Sequence, residues 1–241
     1  MYSGKMIFFG ILAFFSASLS AQSLQGIELP KSTLIFSKLI SAFIIDNPAL
    51  GTVNDSISYQ NIKGSPYWRA FPQPALIYTS KGYVGTFSVR INLATNDIYF
   101  IQGEEEMALN DNSVVKIIFN SLIDSAVFIS QVPDLMLNKN RVTGFVQELN
   151  TGNARLLKYA RKKVIASETP SHTSKVFYFA DEFNYFLQSN EKVEFMKKLN
   201  KENLLSILTV SPGEEKWAKD NNINFKTEKD IVRFLNYHNA H

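Results

Sequence analysis

The stretch IKGSPYWRAFPQPALIYTSKGYVGTFSVRINLATNDIYFI, Ile62 to Ile101, decides the fold. Its Gly64-Ser65-Pro66 turn leads straight into Tyr67 and Trp68. Pro72 and Pro74 bracket the start of the next strand and suit a sheet edge, where a missing N–H costs least. Ala75 to Thr79 reads as a strand turned by Ser80-Lys81-Gly82. Val84 to Leu93 is the best-patterned strand of the chain. Val89, Ile91 and Leu93 alternate there with Ser88, Arg90 and Asn92, which points Val89's face inward and Arg90's outward. Ala94 to Asp97 turns the chain, and Ile98 to Ile101 returns as the next strand.

Downstream the pattern repeats. Gly103 to Glu106 is an acidic turn, Met107 to Leu109 a short strand, and Asn110-Asp111-Asn112 a further turn. Val114 to Phe119 and Ala126 to Ile129 are apolar strands, and Leu135 to Leu137 is a weaker one. Gly144 to Leu149 precedes Asn150-Thr151-Gly152-Asn153, a hairpin signal because Gly and Asn tolerate positive φ. Arg155 to Ala160, Lys163 to Ala166, Lys175 to Ala180 and Phe183 to Leu187 complete the strands. Short strands at turn-separated spacing predict an α+β fold that is mainly β: a curved or partly closed antiparallel β-meander.

The period then changes. Val193, Met196 and Leu199 fit a helix opened near Ser189 or Asn190, and Lys201 to Leu208 a second. Ser211-Pro212-Gly213-Glu214 has the form of a capping box with proline at the first helical position, opening a short helix that carries Trp217. Thr227 caps the last helix, which sets Ile231, Phe234, Leu235 and His238 on one face. The expectation is a short-helix C-terminal cap.

Upstream of the opening stretch, TLIFSKLISAFIID within residues 22–50 has helical spacing at Ile35, Leu39, Ala42 and Phe43. Ile40, Ile44 and Ile45 make it apolar on more than one face, so a buried strand stays open. Lys38 is its only basic residue, which favours an element packed on the core over a membrane-surface segment. Residues 51–61 read as a polar linker. Residues 1–21 carry one lysine, an apolar run from Met6 to Ala17 and the small-residue segment SASLSAQS, the pattern of a secretory signal peptide cleaved after Ala21. The layout is therefore a signal peptide (1–21), an N-terminal segment packing on the core (22–55), an antiparallel β-domain (56–190) and a helical cap (191–241).

The chain has 241 residues, 45% of them hydrophobic, enough for a sizeable core, and its 19 phenylalanines favour pleated, half-buried surfaces. It has no cysteine, which excludes disulfides, thiolate metal sites and a cysteine nucleophile. An exported chain without cysteine fits a bacterial periplasm or the extracellular space. Beyond residue 21 there remain 24 basic and 22 acidic residues, a balance that argues against a dedicated nucleic-acid binder. The charge is uneven: residues 139–175 hold eight basic residues and two acidic ones.

Five strings stand in a telling order: GSPYW (64–68), VGTFSVRINLATNDIYFI (84–101), NTGNARLLKY (150–159), YFADEFNYFL (178–187) and DIVRFLNYHN (230–239). Together they resemble a group of uncharacterised secreted proteins of the Bacteroidetes, in which a Gly-x-Pro-Tyr turn precedes a meander and a helical tail. His238 departs from that group, where another aromatic is common. The resemblance implies export and general layout; it implies no catalytic or ligand residue.

No motif specifies a reaction. His172, His238 and His241 have no metal-binding spacing, and neither a G-x-S-x-G elbow nor a phosphate-binding glycine loop occurs. A Ser–His–Asp set assembled by the fold would have His172 as its base. The visible carboxylate groupings are Asp181-Glu182 and Glu104-Glu105-Glu106; adjacent strand residues face opposite ways, and an acidic turn is usually solvated. The expectation is an exported cell-envelope protein with a binding or structural role, without cofactor or metal. The rival readings are a lipocalin-like carrier of an apolar small molecule and a hydrolase of envelope glycans or peptides. Candidate contact residues are Tyr67, Trp68 and Tyr83 by the turns, and Arg155, Lys158, Arg161, Lys162 and Lys163 for an anionic envelope component or another envelope protein. The plainer alternatives are aromatics that plug the end of the sheet and lysines that blunt an exposed edge.

Overall fold

The computed structural model describes residues 36–37, 42–45, 55–58, 61–102, 105–109, 114–120, 125–130, 132–133, 135–168, 175–190 and 192–241. Residues 1–21, expected to be a signal peptide, most of residues 22–54 and His172 lie outside them.

In chain order the strands are β1 (Phe36–Ser37), β2 (Ala42–Ile45), β3 (Asp55–Ser58), β4 (Ile62–Lys63), β5 (Gln73–Thr79), β6 (Gly82–Asn92), β7 (Asp97–Gln102) and β8 (Glu105–Leu109). They continue as β9 (Val114–Phe119), β10 (Ala126–Ile129), β11 (Met136–Leu137), β12 (Asn140–Arg141), β13 (Val146–Glu148), β14 (Ala154–Glu168), β15 (Lys175–Ser189) and β16 (Lys192–Met196). Three helices follow: α1 (Lys201–Leu205), α2 (Pro212–Asp220) and α3 (Glu228–Ala240). The fold is α+β and mainly β, as expected.

The main sheet has the order β1-β8-β7-β6-β5-β9-β10-β13-β14-β15-β16. It is a pair of antiparallel meanders joined back to back at β5 and β9, and it does not close into a barrel. Chain length enforces a curl. In a flat sheet β8 and β9 would stand four strand spacings apart, about 19 Å. Five peptide links from Leu109 to Val114 reach at most about 18 Å. Within the curl, Ile77, Val89, Ile91, Phe100, Ile117, Phe119 and Phe128 form one buried cluster.

The GSPYW corner closes one end of this cluster. Trp68 N–H donates to Ile91 O (2.9 Å) and Leu93 N–H to Pro66 O (2.8 Å), so the corner pairs with the end of β6. Tyr67 and Trp68 then fall on opposite sides. Trp68 packs on Phe119 and Phe128, with ring centres 4.9 and 5.0 Å away. Tyr67 meets Tyr99 edge-on and lies under the Arg90 guanidinium, 3.6 Å from ring centre to carbon. The face expected to be outward is thus covered where the corner folds over it. Asn92 is fully buried there, its Oδ1 accepting from Ala94 N–H (2.9 Å).

β14 and β15 form one ladder of 15 residue pairs, from Ala154↔Ser189 to Glu168↔Lys175, about 50 Å long. The sequence pattern predicts each strand divided in two at its charged run, and the ladder runs through instead. The alternation of a strand sends successive charges to opposite faces, so the polar run continues the ladder. At the base of this ribbon both faces are covered. Leu156 and Leu187 pack under the helices, while Leu157 and Phe186 pack under the β11–β12 hairpin. Burial on both faces is why consecutive residues there are apolar.

Four further expectations change. The helical spacing of 22–50 gives way, in the described part, to β1 and β2, and β2 pairs with β3 inside the supposed linker. The β-branched pair Ile44-Ile45 suits that hairpin. Glu105 and Glu106 belong to β8 rather than to a turn. The helix expected after Ser189 is strand β16, hydrogen-bonded to β15 through a turn at Asn190, whose φ is 47°. Val193 and Met196 pack in different clusters on opposite faces of the sheet, which three-residue helical spacing does not allow.

The caps form as the sequence indicates. Ser211 Oγ accepts from Glu214 N–H, and a Glu214 carboxylate oxygen accepts from Ser211 N–H at 2.6 Å. The second carboxylate oxygen lies 2.6 Å from His238 Nδ1, which ties the start of α2 to the end of α3. Trp217 stacks on Tyr237 between the same helices, 4.1 Å apart. Burial pushes the Glu214 carboxyl up, but the bonds from Ser211 and the His238 ring outweigh it and leave it below its ordinary 4.5. Its contribution is therefore present above about pH 4.5 and is lost as pH falls through the lower folded value. The thermal midpoint of the wild type is expected to fall more steeply between about pH 5 and pH 3 than that of Glu214→Gln. Parallel curves would contradict the pairing.

Candidate functional site

Alternation along β14 decides what its basic residues can do. Arg155, Arg161 and Lys163 point to one face of the ribbon, and Lys158 and Lys162 to the other. The five cations therefore do not form one patch. Four of them are already held by carboxylates. Arg155 Nη1 donates to Glu148 Oε1 and Nη2 to Gln188 Oε1, both at 2.7 Å. Lys158 reaches Glu228 Oε1 at 2.8 Å and lies 4.0 Å above the Phe183 ring. Lys162 pairs with Asp181 at 2.8 Å, and Lys163 with Glu182. The Tyr185 hydroxyl also donates to Glu228, and burial together with that carboxylate raises its pKa. Lys158, Tyr185 and Glu228 thus tie the ribbon to the first turn of α3.

Arg161 differs. Among the described residues it has no carboxylate partner, and its guanidinium rests 5.8 Å from the Tyr159 ring. It lines a cleft of about 350 Å³ with Arg141, Thr143, Tyr159, Lys163 and Glu182. The β11–β12 hairpin brings Arg141 there. Its turn residues Asn138 and Lys139 both have positive φ, 49° and 67°, the geometry of a tight two-residue hairpin loop. Leu135, Leu137 and Val142 anchor the hairpin on Leu157, Tyr159 and Phe186. The chain leaving it is fixed at Gly144, whose φ is 92°. Asn96 packs so closely that an added Cβ would sit 1.7 Å from its Nδ2, which donates to Thr143 O at 2.8 Å.

Arg141 likewise has no carboxylate partner among the described residues. Asn184 stands across the ladder from Tyr159, on the same face, and its Nδ2 is buried without an acceptor. Arg141, Arg161 and Lys163 make the cleft itself rich in donors, and its one carboxylate, Glu182, is already neutralised by Lys163. Sequence counted Arg141 in the basic segment without singling it out. The signal that would have found it is the Asn-Lys-Asn turn between Leu137 and Arg141, a hairpin that lays the arginine over the ribbon.

A second, apolar cleft of about 250 Å³ adjoins the first, and the two share Arg141, Val142 and Thr143.

The other sequence candidates are placed elsewhere. Trp68 is a core plug and Tyr67 a cover for Arg90 and Tyr99. Tyr83 is 57% exposed, tilted against the Tyr78 ring at 5.4 Å and hydrogen-bonded to Thr86, far along β6 from the corner. Asp181 and Glu182 lie on opposite faces, each paired with a lysine, and His172 lies outside the described residues. His241 Nδ1 is taken up by the Tyr237 carbonyl. Among the described residues no group of three or more His, Asp or Glu side chains could hold a metal ion, and no helix is long and apolar enough to cross a membrane.

A scan of protein-family models and searches of curated proteins and of solved structures find no match to the chain.

Proposed function

We propose that this chain is an exported, non-enzymatic protein of the cell envelope that binds an anionic component through the cleft between the β11–β12 hairpin and the β14–β15 ribbon. The signal-peptide pattern of residues 1–21 and the resemblance to secreted Bacteroidetes proteins support the compartment. The observation that carries the binding reading is that Arg141 and Arg161 line one cleft without a carboxylate partner, while their neighbours Arg155, Lys158, Lys162 and Lys163 are each neutralised within the fold. Guanidinium forks match carboxylate and phosphate oxygens in pairs, and the Arg161 guanidinium lies 5.8 Å from the Tyr159 ring centre, within cation–π range.

The test is an NMR titration with inorganic phosphate and with acetate. Saturable shifts are expected in the Arg141–Thr143 and Tyr159–Lys163 amides, weakening as salt rises. They are lost in Arg141→Ala/Arg161→Ala. Lys162→Ala binds as the wild type does, because Lys162 faces the other side and serves Asp181. An unsaturable wild-type response, or equal loss in the Lys162 variant, would overturn the reading.

A further inference from the structure

The two adjoining clefts differ in chemistry. The smaller is walled by Val114, Val132, Leu135, Val142, Phe145 and Val146. Of its two hydroxyl residues, Thr143 sits at the rim shared with the basic cleft, and Ser130 Oγ is consumed inside the fold by donation to Val114 O at 2.7 Å. The interior therefore presents apolar surface. Arg141 lines this cleft and the basic one alike, and Val142 and Thr143 form the wall common to both. A guanidinium without a carboxylate partner at the junction of an apolar and a donor-lined space fits a molecule with both characters.

We infer that the anion bound at Arg141 and Arg161 is the head of a short single-chain amphiphile, whose apolar chain enters the cleft under Val132, Val142 and Phe145. This rests on the anion-binding reading above and names the ligand class for it. The cleft volume sets the length. About 250 Å³ holds roughly eight groups of water or methylene size, at about 30 Å³ each. A carrier role follows that needs no barrel: the apolar part is held beneath the segment 142–146, against Val114 and Phe145 at the margin of the core cluster of the curl.

The experiment is isothermal titration of the full mature chain with straight-chain carboxylates from acetate to decanoate, below their aggregation concentrations, with octanol as the uncharged control. Each added methylene is expected to tighten binding about fourfold, levelling off near eight carbons. Octanol binds at least about tenfold more weakly than octanoate, and Arg141→Ala/Arg161→Ala brings octanoate down to the octanol level. Val132→Phe, checked for folding by its thermal transition, flattens the series and leaves acetate unchanged; should it fail to fold, the wild-type series decides alone. A flat series with arginine-dependent acetate binding overturns the amphiphile and leaves the anion reading intact. Chain-length dependence that ignores both arginines overturns it too. Failure of every anion to bind overturns the anion reading itself.

Discussion

Phe186→Ala is expected to destabilise the chain by about 3–5 kcal/mol, seen as a lower denaturant midpoint at unchanged slope. Phe186 is 0% exposed in the middle of β15. It packs with Leu135, Val146, Leu157 and Tyr159 and meets the Phe195 ring at 5.5 Å. Its ladder partner Leu157 is equally buried, and Leu156 and Leu187 next to them face the helices. The cavity left by the alanine is bordered by the buried Leu135, Val146 and Leu157 side chains, so only part of the loss is recovered by collapse. Phe183, three residues earlier, is the control. It is 46% exposed, with the Lys158 ammonium 4.0 Å from its ring centre, so Phe183→Ala should cost under about 1 kcal/mol. Equal losses at the two positions would contradict burial of the ribbon base on both faces.

The second large effect concerns a charge. Arg155→Ala leaves the Glu148 carboxylate, whose side chain is 5% exposed, without its guanidinium. Removing one partner of a fully buried pair costs about 3–5 kcal/mol; with Arg155 itself 29% exposed, about 2–3 kcal/mol is expected. Arg155→Met with Glu148→Gln should recover most of it, since the buried charge is gone as well. A single variant as stable as the wild type would show that Arg155 is free for a ligand. The expected result assigns it to the fold, joining β13 and β15 across β14.

Much of this architecture is legible in local chemistry. The alternation of Val89 and Ile91, the Gly152 hairpin and the Ser211 and Thr227 caps each depend on a few neighbouring residues, and each forms as read. What escapes is decided by distant partners. The Arg161-Lys162-Lys163 run looks like a break between strands and a basic patch. It is one continuous strand whose charges split between two faces, with Lys162 and Lys163 paired to Asp181 and Glu182 on a strand some twenty residues away and Arg161 left without a carboxylate partner among the described residues. Val193 and Met196 have a spacing that helix and strand both allow, and pairing with β15 decides between them. Arg141 and Arg161 are twenty residues apart and line one cleft only because the β11–β12 hairpin folds back over the ribbon. Tyr67 and Trp68 read from sequence as candidate contact residues, with a plug at the sheet end as the plainer alternative; that Trp68 enters the core is decided by the pairing of the corner with β6.

The central claim is that Arg141 and Arg161 hold one anion together. A double-mutant cycle on inorganic phosphate binding, with Arg141→Ala, Arg161→Ala and the double variant, tests it most directly. Two guanidiniums on one phosphate are expected to couple by about 1 kcal/mol, so that the double variant loses less than the two single losses combined. Strictly additive losses, or a single variant that binds as the wild type does, would contradict a shared site.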